Sequence, residues 1–145
     1  MKNLFPLLIL ILAFSAQTFA VDFTVNLPTD QRDASLADGV CDIDLATAGL
    51  QCSLRAAVEQ ANNLGSNDRI LFNLPLNSTV TLTTANGGEI PIVNNGTLEI
   101  IGTGANKLTI DGGAVQNRIF YTNESTVTIS GVTLTGGRVY FLRHE

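Results

Sequence analysis

The sequence predicts a mainly β chain, wound as about three rungs of a parallel β-helix, with an N-terminal disulfide loop and one capping α-helix. Three observations predict it. From Arg69 onward, short β-rich runs alternate with turn-forming Gly, Asn and Asp. Several of these strand–turn units recur at 24 or 29 residues, a period that belongs to solenoids. One stretch, Ser53 to Leu64, carries its apolar residues at helical spacing instead.

The chain opens on a targeting device. Lys2 supplies a positive start, Leu4 to Phe14 is an almost continuous apolar run of eleven residues, and Ser15 to Ala20 turns polar and ends small. That is the three-part plan of a secretory signal over residues 1–20, with Thr18 and Ala20 at the −3 and −1 positions and a cut before Val21. A spanning helix needs roughly 20 apolar residues, so the run is short for an anchor. No later segment is long and apolar enough to span a bilayer. The mature part is expected outside the cytoplasm, extracellular or at the cell envelope.

Residues 21–65 form the next unit. Six acidic residues (Asp22, Asp30, Asp33, Asp38, Asp42 and Asp44) fall early in it, with Arg32 the one counter-charge among them. Without Lys2 the chain carries seven basic against thirteen acidic residues. Phosphate binding needs clustered Lys and Arg, so nucleic acid is a poor partner. Cys41 and Cys52 are the only cysteines. In an oxidising compartment an even pair defaults to a disulfide, and half a zinc site is the alternative. Asp38, Asp42 and Asp44 alternate beside Gly39 in the same loop. Such carboxylates can wrap a calcium ion, although the distal Glu of an EF-hand loop is missing. A solvated acidic loop is the plainer reading. Calcium is the one cofactor the sequence raises.

The helix over Ser53 to Leu64 starts on a natural N-cap. Leu54, Ala57, Val58, Ala61 and Leu64 make one face, and Arg55, Glu59, Gln60 and Asn62 lie elsewhere. Arg55 and Glu59, four apart, are expected to pair on the surface with little energetic effect. Gly65 to Asp68 ends the helix.

The rungs occupy residues 66–137. Strands are expected at Ile70 to Phe72, Thr79 to Thr84, Ile90 to Val93, Thr97 to Ile101, Lys107 to Ile110, Ile119 to Thr122, Val127 to Ile129 and Val132 to Leu134. Leu108 to Gly113 resembles Val132 to Gly137 at an offset of 24. Ile90 to Ile92 resembles Ile119 to Tyr121, and Ile101-Gly102 matches Ser130-Gly131, both at 29. An antiparallel sandwich is the competing reading. An open solenoid end exposes apolar side chains and strand edges, so it needs a cover. The helix is placed to provide one over the first rung.

The segment Cys52-Ser53-Leu54-Arg55-Ala56-Ala57-Val58-Glu59-Gln60-Ala61-Asn62 resembles the motif of the CSLREA-domain proteins. Asp38 to Cys41, Phe72 to Pro75, Gly102 to Gly113 and Val127 to Gly137 resemble further parts of that family, so the likeness covers about residues 22 to 137. The family pattern has Glu-Ala where this chain has Ala56-Ala57, at what reads as a surface position of the helix. The resemblance implies a right-handed, pectin-lyase-like β-helix in exported bacterial surface proteins, mostly without an established activity. Family chains run on for many more rungs. Residues 138–145, Arg138 to Glu145, lack the Gly-rich rung chemistry and read as a sign of truncation or a frameshift.

Chemistry is sparse. Cleaving a glycosidic bond needs two positioned carboxylates. The rungs offer Asp68, Glu89, Glu99, Asp111 and Glu124, none adjacent to another. Arg69, Lys107 and Arg118 are isolated, and His144 stands alone in the tail. No catalytic residues are assigned. Three Asn-x-Ser/Thr sequons (Asn77, Asn95 and Asn123) bear on the chain only in a eukaryotic secretory route. The expected function is a structural or adhesive surface module that meets surface glycans or other surface proteins. The alternative is a fragment of a polysaccharide lyase or hydrolase.

Overall fold

Burial in this chain is organised around one helix and three parallel sheets. The computed structural model describes residues 20–113 and 118–138. Residues 1–19, 114–117 and 139–145 lie outside the described residues, and with them nearly all of the expected signal segment and tail.

Helix α1 spans Leu54–Leu64. Ser53 is extended (φ −89°, ψ 165°), and its Oγ accepts the Ala56 N–H at 3.1 Å. That removes one of the donors every helix start leaves open. Gly65 ends the helix in the left-handed conformation at φ 62°, its N–H returning to the Ala61 carbonyl. Leu54, Ala57, Val58 and Ala61 are buried as their spacing predicts, but so are Arg55, Ala56 and Gln60. Ala56 is therefore no surface position. A larger side chain there would meet the core.

The strands are β1 (Asp22–Val25), β2 (Asn67–Phe72), β3 (Ser78–Thr81), β4 (Ile90–Val93), β5 (Thr97–Ile101), β6 (Leu108–Asp111), β7 (Phe120–Asn123), β8 (Thr126–Ser130) and β9 (Thr133–Thr135). They form sheets ordered β1-β2-β5-β8, β3-β6-β9 and β4-β7, with every pairing parallel. After the helix the chain visits the three sheets in turn with β2, β3 and β4. It repeats the round with β5, β6 and β7, and begins it again with β8 and β9. An antiparallel sandwich is thereby excluded. Strand β1 was not anticipated. Its four residues open the acidic segment with Asp22, yet the alternation of Phe23 and Val25 marks it, and both are buried.

Register places like on like. Phe23, Ile70, Ile100 and Ile129 fall in one column, and Val80, Ile110 and Leu134 in another. Each fully buried aliphatic stabilises the stack by roughly 1.5–3 kcal/mol. The expected offset of 24 between Leu108 and Val132 is consistent with the pairing of Thr109 with Thr133, and Ile101 pairs with Ser130 at 29. The third repeat is off by one: Ile90 pairs with Phe120, not Ile119. Period-2 side chains make such a slip consequential, because it exchanges faces. Ile119 is buried in the corner and its carbonyl receives the Ile90 N–H.

Corners close where glycines stack. A Cβ on Gly102 would run into the carbonyl oxygen of Gly131, which itself has φ 65°. Neither position has room for a side chain, and Gly131 also needs its backbone freedom.

Candidate functional site

Polar residues of the helix converge on the segment that precedes it, and together they build the most elaborate region of the molecule. Cys41 and Cys52 are joined, with Cα atoms 5.0 Å apart and both residues buried. The bridge ties the acidic loop to the start of the helix. Asn26 reinforces it, accepting the Cys52 N–H and donating to the Leu50 carbonyl. Ser53 adds a second link by donating to the Gln31 carbonyl at 2.5 Å.

Arg55 corrects the expectation of a surface pair with Glu59. Its side chain and that of Asp30 are each 1% exposed, and Nε donates to Asp30 Oδ1 at 2.7 Å. The terminal nitrogens reach Asp30 Oδ2 (3.2 Å), the Gly88 carbonyl (2.7 Å) and the Glu89 carbonyl (3.1 Å). Asp30 Oδ2 also accepts the N–H and hydroxyl of Thr83. Burying two charges costs several kcal/mol each unless hydrogen bonds replace their water. Here they do, and the guanidinium joins helix, leading segment and the turn before β4. Glu59 pairs instead with Arg32 at 2.6 Å and accepts the Asp33 N–H.

Asn62 stands in for a neighbouring strand. Its Nδ2 donates to the Pro91 carbonyl at 2.8 Å and its Oδ1 accepts the Val93 N–H at 2.9 Å. The outer edge of β4 is thus bonded by a side chain of the helix rather than by backbone. The motif residues Cys52, Ser53, Leu54, Arg55 and Asn62 are all placed by this one interface.

The acidic loop engages Asp44 apart from the other two calcium candidates. Asp44 gives its oxygens to the Ala46 N–H and the Thr47 hydroxyl, and the Thr47 bond first, then Ala46, holds its carboxyl below the ordinary range. Asp38 instead lies beside Gln60, as does Asp33, which the sequence did not single out. Burial pushes the Asp33 carboxyl above its ordinary value despite hydrogen bonds that pull it down. Asp42 donates its N–H to Asp33 Oδ2 and keeps a buried Oδ1 without a partner. Among the described residues, no three of His, Cys, Asp and Glu group as a metal cage.

The carboxylates of the rungs are dispersed. Asp68 is buried in β2, accepting the Val21 N–H and the Ser66 hydroxyl on Oδ1. Glu89 pairs with Arg118 at 2.9 Å, and Asp111 closes a turn on the Gly113 N–H. Glu99 stands across from Arg69 on the outer face, where Arg69 pairs with Asp22. That contact lowers the Asp22 pKa and raises that of Arg69. Of the sequons, Asn95 is fully buried, while Asn77 and Asn123 are exposed. An open groove of about 520 Å³ runs beside the helix, floored by Asn62, Asn63, Pro91, Val93 and Asn94. Among the described residues no helix is long and apolar enough to cross a membrane. No family model, curated protein or solved structure matches the chain.

Proposed function

We infer that the chain is an exported β-helix module of the CSLREA type, structural or adhesive at a cell surface, and right-handed. The observation that carries this reading is the register. Three parallel sheets repeated at near-constant offsets set side chains in straight columns. Such columns make flat, extendable outer faces suited to display and contact. The outer column of Asp22, Arg69, Glu99 and Thr128 is one of them. Crossovers between parallel strands of one sheet are right-handed in about 98% of cases, which supports the hand. The bridge between Cys41 and Cys52 suits an oxidising compartment. Surface glycans or surface proteins are the partners such faces would meet, and the groove beside α1 is the concave part of that surface.

The test is to offer the purified protein a glycan panel together with pectin and alginate. Binding to glycans or cells with the polymers left intact supports a display module. Depolymerisation of either polymer overturns it in favour of a polysaccharide-acting enzyme.

A further inference from the structure

The carboxyl of Asp68 lies at the start of β2 with too few partners. The residue is 1% exposed, although its neighbours Asn67 and Arg69 are exposed. Oδ1 accepts the Val21 N–H at 2.9 Å and the Ser66 hydroxyl at 2.6 Å. Oδ2 is buried and has no partner among the described residues. The ion pairs of those residues use Asp22, Asp30, Glu59 and Glu89, and none uses Asp68. Arg69 follows it in the chain, but its side chain lies on the outer face and holds Asp22. A carboxylate taken out of water needs a counter-charge or a full set of hydrogen bonds. Two neutral donors on one oxygen leave half of this one bare. The main-chain nitrogen set against it belongs to Val21, the residue at which the expected cut exposes a new chain end. Ala20, on the far side of that bond, is exposed, and the Val21 carbonyl accepts the Arg69 N–H at 2.9 Å.

We propose that cleavage before Val21 makes the missing partner: the new α-ammonium of Val21 forms an ion pair with the buried Asp68 carboxyl. The pairing rests on the export reading above. At a signal peptidase, water adds across the peptide bond between Ala20 and Val21. Ala20 leaves as a carboxylate, and the Val21 nitrogen takes up the protons and becomes an ammonium. Before the cut that nitrogen offers one hydrogen and no charge. Afterwards it offers three hydrogens and a full positive charge, with Oδ1 already at hydrogen-bond distance. The bond from the Arg69 N–H to the Val21 carbonyl holds the new end in register ahead of β1. The other charged groups near this end are Asp22, Arg69 and Glu99. Asp22 and Arg69 pair with each other in solvent, and Glu99 stands across from Arg69 on the outer face. Asp68 is the buried one, where attraction is screened least. Strand β1 lies at the end of its sheet, so its docking is completed only once the leader is gone. The fold thereby couples its final stability to its own processing.

The full chain is expressed with its leader in a secreting bacterial host, purified from the exported fraction and sequenced from its N-terminus. Val21 is the expected first residue. The α-amine of that product is titrated by NMR at Val21. Its midpoint is expected at least about one unit, or tenfold, above the ordinary 7.7–8.0 of a free chain end. A form that retains Ala20 moves the ammonium one residue outward and is expected to melt lower than the form starting at Val21. That difference is expected to vanish when both forms carry Asp68→Asn. A product that starts elsewhere, or keeps its leader, overturns the cut before Val21 and the ion pair with it. A start at Val21 with a smaller rise, or a fall, overturns the ion pair alone and leaves the export reading standing. Equal melting of the Ala20 and Val21 forms does the same. If Asp68→Asn does not fold, the titration of the unmodified protein decides by the same limit.

Discussion

The two ends of the stack hold equivalent residues in unequal surroundings. Val80 in β3 of the first rung is fully buried, while Leu134, two rungs on in the same column in β9, is 45% exposed. Ile70 in β2 is fully buried, and Ile129, two rungs on in the same column in β8, only half so. Register and residue type are conserved between these pairs. What differs is a neighbour on the second side. Towards the N-terminus that neighbour is the helix with its leading segment, held by Arg55, Asn62 and the disulfide. A rung is thus half a core, and the polar groups of α1 turn the first rung into a complete one. Burial is set by position in the stack, and position by a few polar contacts.

The strongest break in this comparison comes from Arg55→Ala. It strands Asp30 as a buried, unpaired charge and frees the Gly88 and Glu89 carbonyls. A loss of about 3–5 kcal/mol is expected on chemical denaturation. Arg118→Ala, at the exposed pair with Glu89, costs only about 0–1 kcal/mol. Next come the column residues. Ile110→Ala opens a cavity and costs about 2–5 kcal/mol, whereas Leu134→Ala falls well below it because solvent already reaches the site. Replacing Cys41 and Cys52 together by Ala removes a loop constraint of about 3 kcal/mol, seen as a lower denaturation midpoint.

The sequence disclosed the locally encoded parts. Ser53, the spacing of Leu54, Ala57, Val58 and Ala61, and Gly65 write α1 within a dozen residues. The pairing of Cys41 with Cys52 follows from their being the only two. Arg55 was misplaced because its partner, Asp30, lies 25 residues away. Helical spacing offers Glu59 and says nothing of a chain folded back over the helix. The part played by Gln60 was hidden for the same reason, its neighbours being 20 to 27 residues upstream. The one-residue error at Ile119 shows the limit of matching short repeats: two apolar residues in a row fit either register, and only the buried corner decides.

The smallest effect separates carboxylates by environment. Asp33 titrates above its ordinary value near 3.8, and Asp22 and Asp44 below it. The signs oppose. For Asp33 the native state holds the proton more tightly than the unfolded chain, so its contribution is fully present below 3.8 and is lost as pH rises through the folded value. For Asp22 the contribution is present above 3.8 and is lost as pH falls through the depressed folded value. Carboxyl-carbon NMR titration reads all three residues in one series.

Native-state hydrogen exchange, resolved by residue, tests the gradient directly. The account predicts protection near the global unfolding free energy for the amides of β2 and β5, with β8 and β9 opening at clearly lower free energy. It also predicts that Arg55→Ala lowers β2 and β5 towards the values of β8 and β9. Equal protection from β2 to β9, or β9 outlasting β2, would contradict the claim that the helix and its polar contacts complete the first rung.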